Sequence, residues 1–157
     1  MPISKPRPNP RVEKIIAQAE LSFRKQFLLC TNFYLYVLID KKESITYGFR
    51  FRPHHFKWGA PNIELQDIHQ LTEFGLQDKG IYRVLNSPWM DEYFHYNIII
   101  KGHSDYAFEH DNHYIIKFEH SIFEIISTGI EEVQLTEGEI SAIAVEGIDW
   151  LAKNAGS

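Results

Sequence analysis

A basic and aromatic segment in the first half of the sequence carries the residue types best suited to binding an anion. Two arginines, two histidines, a lysine and a tryptophan lie close together: Arg50, Arg52, His54, His55, Lys57 and Trp58. Guanidinium groups bind carboxylates or phosphates through paired hydrogen bonds, and an indole ring stacks on a base or another ring. We interpret this segment as a ligand-binding site for an anionic small molecule or an acidic protein surface. The simpler alternative is a solvated strand face that pairs with acidic neighbours.

A histidine and aspartate group in the second half is the alternative site. His110, Asp111 and His113 are close in sequence, and imidazole and carboxylate groups are typical ligands of Zn²⁺ and related metals. Their spacing matches no established metal motif, so histidines in a surface loop are the simpler explanation. The alternative function is therefore a small metal-assisted hydrolase or nucleotide-processing enzyme. Our main hypothesis requires no metal and no cofactor.

Other catalytic patterns are weak in this sequence. Glu119 and Glu124 could act as paired carboxylates in acid–base chemistry, although on an open sheet face they are merely solvated. The sequence contains no G-x-S-x-G, no P-loop and no G-x-G-x-x-G. Catalytic residues therefore stay unassigned, and we favour a non-enzymatic protein.

Charge is distributed unevenly along the chain. Residues 1–60 hold 11 Lys and Arg against 4 Asp and Glu, whereas residues 61–157 hold 5 against 17. The first part thus carries +7 and the rest −12, which sums to the net −5. Such asymmetry marks an interaction surface or brings two parts of one fold together. The acidic total argues against nucleic acid as a partner.

Composition indicates a folded cytoplasmic protein. Hydrophobic residues make up 44% and aromatic residues 14%, which favours a core of large side chains over disorder. The single cysteine, Cys30, excludes an internal disulfide and fits a reducing compartment. We find no apolar run of membrane-spanning length and no secretory signal, so we expect no membrane contact.

The elements that position these residues predict an α+β fold. We predict a flexible tail over residues 1–8 and one globular domain over residues 9–157. Asn9 and Pro10 are typical of a helix start, and apolar residues at helical spacing predict a helix from Pro10 to about Gln26. Strands are predicted over residues 31–39 and 44–53, and residues 54–61 are a loop or the tail of the second strand.

The clearest pattern is a hairpin over residues 113–128. Alternate apolar residues share one face when a two-residue turn is placed at His120 and Ser121. This register sets Phe118 opposite Phe123 and Lys117 opposite Glu124. The hairpin is therefore expected at the centre of an antiparallel sheet.

The rest of the sequence predicts the other strands of the sheet and the helices that cover it. Further strands are predicted over residues 62–69, 81–85, 97–100 and 130–135. Ser87 and Pro88 are typical of the start of a short helix, and Thr136 with Glu139 forms a capping box for a helix to about Lys153. The sum is a mostly antiparallel sheet of about six or seven strands, covered by an N-terminal and a C-terminal helix.

Aromatic residues suggest a third hypothesis, which is a homodimer. Several of them fall in segments predicted as loop or short helix, around Trp89, Tyr93 and Phe94. Trp and Tyr are enriched at protein interfaces, so exposure of this set would mark a subunit contact.

Overall fold

The structure, a computed structural model, describes residues 8–59, 69–101 and 110–154. Its seven described strands form one sheet: β1 (Arg11–Ile15), β2 (Phe27–Cys30), β3 (Leu35–Lys42), β4 (Ile45–Gly59), β5 (Gly80–Leu85), β6 (Asn112–Lys117) and β7 (Ile122–Thr136). A 3-10 turn spans Thr72–Phe74, and the two helices are α1 (Pro88–Lys101) and α2 (Glu137–Asn154). The order across the sheet is β1-β5-β6-β7-β4-β3-β2, with every neighbouring pair antiparallel. The predicted α+β class with an antiparallel sheet is therefore confirmed for the described residues.

The N-terminal helix predicted over residues 10–26 is wrong. Residues 11–15 form the edge strand β1, in which Val12 pairs with Val84 and Ile15 with Ile81. The following residues contain no helix, and Phe23 has a positive φ of 50° while its ring is buried in the core. The β-branched Val12 and Ile15 suit a pleated strand, and pairing with β5 outweighs the helical spacing.

Strand β4 extends past Pro53, where the firm part of the strand prediction ended. It continues to Gly59, so the predicted alternative of a strand tail is confirmed over residues 54–59, and residues 60 and 61 lie outside the described residues. Its pairing with β7 shifts register on either side of Pro53, between Phe51 and His55. Such bulges accommodate a residue that has no N–H for the ladder. The strand predicted over residues 62–69 lies, apart from His69, outside the described residues.

Helix α1 is also longer than predicted. It has 14 residues and includes residues 97–100, which were predicted as a strand. The Ser87 hydroxyl accepts a hydrogen bond from the Met90 N–H at 3.2 Å, as the predicted cap requires. Once a helix has been nucleated, adding a residue costs little, so the β-branched run continues it.

The central hairpin forms with a register two residues away from the predicted one. Ile116 pairs with Phe123 and Tyr114 with Ile125. The turn is closed by the Phe118 N–H, which donates to the Ser121 carbonyl at 2.8 Å. A shift of two residues leaves every side chain on its predicted face, because the side-chain period is two. β7 then runs unbroken to Thr136 and includes the separately predicted strand over residues 130–135.

The two faces of the sheet are covered differently. The largest apolar cluster lies on one face, where Phe23 packs beside Phe49, Phe51, Phe118 and Phe123. Two smaller clusters lie on the other face, one beside the 3-10 turn and one beside the start of α2. The residues of α2 that pack on the second of these are Ile140 and Ile143.

Helix α2 covers the sheet only in part. The predicted capping box is present, since the Thr136 hydroxyl accepts from the Glu139 N–H and the Glu139 carboxylate accepts from the Thr136 N–H. None of the helix residues is buried, however. Neither helix in the described part of the chain combines the length and the apolar character needed to cross a bilayer.

Candidate functional site

A chain of buried polar side chains runs across the face of the sheet opposite the largest apolar cluster. Ser87, His113 and Glu124 are 4%, 1% and 7% exposed. The Ser87 hydroxyl lies 2.7 Å from His113 Nδ1, and His113 Nε2 lies 2.9 Å from Glu124 Oε1. Buried polar groups are costly unless they are hydrogen-bonded, so these three side chains depend on one another.

The sheet and one strand–helix turn bring these residues together. His113 is opposite Ile126 and Glu124 is opposite Ile115, which makes the two side chains diagonal neighbours on one face of the hairpin. Ser87 comes directly before α1, and Asn86 separates it from the end of β5 at Leu85. Asn86 has a φ of 53°, a left-handed conformation that turns the chain sharply from strand to helix.

Two further groups contact the Glu124 carboxylate. His69 Nε2 lies 3.3 Å from Glu124 Oε2, and Lys57 Nζ lies 3.6 Å from the same oxygen. Lys57 is placed there by direct pairing with Glu124 between β4 and β7. His69 Nδ1 accepts from the Leu71 N–H, so its Nε2 carries the hydrogen that faces the carboxylate. We call these five residues, Ser87, His113, Glu124, His69 and Lys57, the polar cluster.

The polar cluster holds an ionised carboxylate beside a neutral imidazole. Burial lowers the pKa of His113, although the neighbouring Glu124 opposes this effect. Burial alone would raise the pKa of Glu124, but hydrogen bonds from His113 and His69 and the charge of Lys57 bring it well below its usual range. His113 Nε2–H therefore donates to Glu124, and Nδ1 accepts from the Ser87 hydroxyl. This order of groups is a hydroxyl–imidazole–carboxylate relay.

Aromatic rings lie beside the polar cluster. The Trp89 ring meets His113 edge-on at 5.1 Å, and Lys57 Nζ lies 4.2 Å from the centre of the same Trp89 ring. The His55 ring stacks on Tyr93 at 6.0 Å and lies 5.5 Å from Trp89. We call His55, Lys57, Trp89 and Tyr93 the aromatic rim. It presents two exposed basic side chains against two partly buried rings.

The structure divides the residues predicted to bind an anion. His55 and Lys57 belong to the aromatic rim. Trp58 pairs with Phe123 and so lies on the opposite face of the sheet. The side chain of His54 is outside the described part of the structure. The six predicted residues therefore do not form one continuous site.

Arg50 and Arg52 form a separate group around Tyr34. Arg50 lies over the Tyr34 ring at 4.4 Å and is paired with Glu131, and hydrogen bonds with Tyr36 and Glu131 raise its pKa. Arg52 hydrogen-bonds the Tyr34 hydroxyl at 3.1 Å. The charge of Arg50 is thus neutralised within the fold, as the simpler alternative proposed, whereas Arg52 faces solvent with a neutral partner.

The alternative metal-binding group is not brought together. Both ring nitrogens of His113 are used inside the polar cluster. Asp111 accepts a hydrogen bond from the Thr128 hydroxyl at 3.3 Å, and His110 is exposed. Across residues 8–59, 69–101 and 110–154, no three His, Cys, Asp or Glu side chains are arranged to hold a metal ion.

Sequence reasoning missed Ser87 and His69 as members of a site, and it assigned Trp89 to a subunit contact. Ser87 was interpreted only as a helix cap, and it does cap α1 while it also contacts His113. One signal was present in the predicted hairpin. His113 and Glu124 share its polar face in the predicted register as well as in the observed one, because the two differ by two residues.

Comparisons with protein-family models, with curated proteins and with solved structures find no significant match.

Proposed function

We propose that this chain is a non-enzymatic cytoplasmic binding domain that recognises a carboxylate- or phosphate-bearing ligand at the aromatic rim. The observation that carries the proposal is the position of Lys57. Its ammonium group is fixed between the Trp89 ring and the buried Glu124 carboxylate, yet the side chain stays exposed to solvent. A cation that is already ordered binds an anion with a smaller entropic cost than a freely rotating one.

Two exposed residues on β4 extend this site, His55 within the aromatic rim and Arg52 outside it. His55 lies beside Trp89 and is exposed, so it can donate a hydrogen bond to a ligand oxygen. Arg52 is exposed on the same strand, and its guanidinium hydrogen-bonds the Tyr34 hydroxyl rather than a carboxylate. The flat rings of Trp89 and Tyr93 offer a surface for a planar part of the ligand. Arg50 does not belong to the site, because its guanidinium is hydrogen-bonded to Glu131, whereas Lys57 Nζ lies 3.6 Å from Glu124, which is longer than a hydrogen bond.

A titration with two kinds of probe tests the proposal. Inorganic phosphate and ATP represent a small anion, and a short polyglutamate peptide represents an acidic protein surface. We expect at least one probe to bind the wild type with an affinity that falls as salt is added. The double variant His55→Gln/Lys57→Gln removes both basic side chains of the aromatic rim and should lose this binding. The control Lys14→Gln/Lys79→Gln removes two exposed cations elsewhere and should keep it. Equal binding by both variants, or none by the wild type, would overturn the proposal.

A second candidate function is hydrolysis of an ester or amide, and the order of groups in the polar cluster favours it. Attack by the Ser87 oxygen on a carbonyl would form the acyl–oxygen bond while Nδ1 of His113 takes the hydroxyl proton. His113 would then give that proton to the leaving group, and water would release the acyl group by the same steps. Glu124 would hold the imidazole in the required tautomer.

A fluorophosphonate probe separates the two candidates, because it reacts covalently with activated serine hydroxyls. Labelling of Ser87 that disappears in His113→Asn would support hydrolysis. The absence of labelling, together with anion binding at the aromatic rim, would reject hydrolysis and leave the binding proposal in place.

A further inference from the structure

Strand β2 forms an outer edge of the described sheet. The Thr31 N–H donates to the Tyr34 carbonyl at 2.8 Å, so this pair is hydrogen-bonded. Hydrogen-bonded pairs alternate along an antiparallel ladder, and Leu29 with Tyr36 is therefore the next such pair. It follows that the backbone groups of Leu28 and Cys30 point away from β3. The strand Phe27–Cys30 contains none of the charged residues or prolines that protect a free edge.

An apolar groove lies beside this edge. It has a volume of about 600 Å³ and runs between the turn after β2 and one side of α2. Its lining includes Phe33, Ile148 and Leu151, which are 72%, 64% and 62% exposed. Large apolar side chains that are this exposed and share one groove mark an interaction surface.

We propose that a second copy of this chain covers both features, with β2 pairing to β2 about a two-fold axis at Leu29. Leu28 and Cys30 are the residues of β2 with outward backbone groups, and pairing Leu28 of one copy with Cys30 of the partner subunit uses both of them. The two Leu29 side chains then meet on the face of the sheet that carries α2. The result is one continuous sheet with both copies of α2 on the same side.

Charge complementarity supports a second copy as the occupant. In this register Lys25 of one copy lies opposite Phe33 of the partner subunit. Phe33 shares the groove with Glu146, and Asp149 follows on the exposed side of α2. The exposed basic pair Arg24 and Lys25 therefore approaches an acidic segment, and the two-fold axis repeats this contact. This inference is independent of the proposed anion site.

Light scattering after size exclusion tests the assembly. We expect twice the chain mass of 18.4 kDa at micromolar concentrations. Cys30→Pro removes an outward N–H that β3 does not use, and it should raise the dimer dissociation constant by about tenfold or more. Cys30→Ser is the matched control and should leave it unchanged. A wild type that is monomeric throughout would overturn the proposal and assign the groove to a different occupant.

A cross-link and a charge exchange test the register. Facing residues in a non-hydrogen-bonded pair have Cα atoms about 4.5 Å apart, which allows a disulfide. In a Cys30→Ser background, Leu29→Cys should therefore give an oxidised dimer, whereas Phe33→Cys should not. Lys25→Glu should weaken the dimer, and adding Glu146→Lys should restore it. If none of these changes alters dimer formation, another surface forms the contact and the proposal is wrong.

Discussion

His113 and Glu124 are diagonal neighbours across the central hairpin, eleven residues apart in sequence, with Nε2 and Oε1 2.9 Å apart in the interior. Every other member of the polar cluster contacts one of these two residues. Lys57 and His69 reach the free oxygen of Glu124, and Ser87 reaches the free nitrogen of His113. The pair thus connects β4, the start of α1 and the chain before the 3-10 turn.

Removing the carboxylate should destabilise the fold. Glu124→Ala leaves the N–H groups of His113 and His69 without their acceptor, and we expect the free energy of unfolding to fall by about 3 kcal/mol. Glu124→Gln keeps one acceptor oxygen and should cost less. Glu119→Gln, a change at a partly exposed carboxylate in the same hairpin, should be nearly silent. Denaturant unfolding at neutral pH measures all three, and equal effects of the Ala and Gln variants would contradict the role given to the acceptor oxygens.

Acid should weaken the fold through His113. The pKa of His113 is lower in the folded protein than its ordinary value of 6.5, so the unfolded chain takes up the proton more readily. The stabilisation is complete above pH 6.5 and is lost as the pH falls from there towards the folded-state pKa. The slope is at most about 1.4 kcal/mol per pH unit for one proton. Unfolding of the wild type and of His113→Gln between pH 7.5 and pH 5 isolates this contribution. Identical slopes would show that His113 does not cause it.

Gly48 should tolerate no side chain. A Cβ atom there would lie 2.2 Å from the Val37 carbonyl oxygen and 2.7 Å from the Leu38 Cα, and backbone atoms cannot move aside cheaply. We expect Gly48→Ala to reduce the free energy of unfolding by about 2–3 kcal/mol. Gly129→Ala in the adjacent strand β7 is the control, since its Cβ would meet no atom within 4 Å. If the two variants unfold alike, the close approach at Gly48 is not as described.

The capping box should matter for α2 because the helix has few other contacts. Thr136→Ala removes the hydroxyl that accepts from the Glu139 N–H. We expect a loss of about 1 kcal/mol, visible as a lower melting temperature or as fraying of helical circular dichroism. Ser141→Ala, on an exposed side of the same helix, should change stability by no more than about 0.5 kcal/mol. A larger effect at Ser141 than at Thr136 would reject the capping assignment.

The alternation of apolar and polar residues in the strands and the capping residues of the helices could be predicted from the sequence. The hairpin faces, the strand ended by Leu85, the Ser87 cap and the helix after Thr136 were all predicted correctly. Each of these depends on residues close to one another in the chain. The N-terminal segment was predicted wrongly, because the partner that makes β1 a strand is β5, about seventy residues further on. Helical spacing within one segment contains no information about such a partner.

The candidate site was predictable only in part. His55 and Lys57 were identified from their composition, but their use depends on Trp89 and Tyr93 in α1, which only the fold brings close. The hairpin register was missed by two residues because a His-Ser turn was assumed, whereas the turn closes between Phe118 and Ser121. That difference decides whether Glu124 faces Lys117 or lies diagonally from His113.

Strand β7 lies in the middle of the sheet but comes last among the described strands in sequence. Its partner β4 pairs from Ile45 with Thr136 to Gly59 with Ile122, so β4 is made long before its neighbour. At a synthesis rate of roughly 5–20 residues per second, the nascent β4 waits several seconds with an unpaired edge and with Phe49 and Phe51 uncovered. Until β7 leaves the ribosome, this edge and these two rings are therefore available for contacts with other chains.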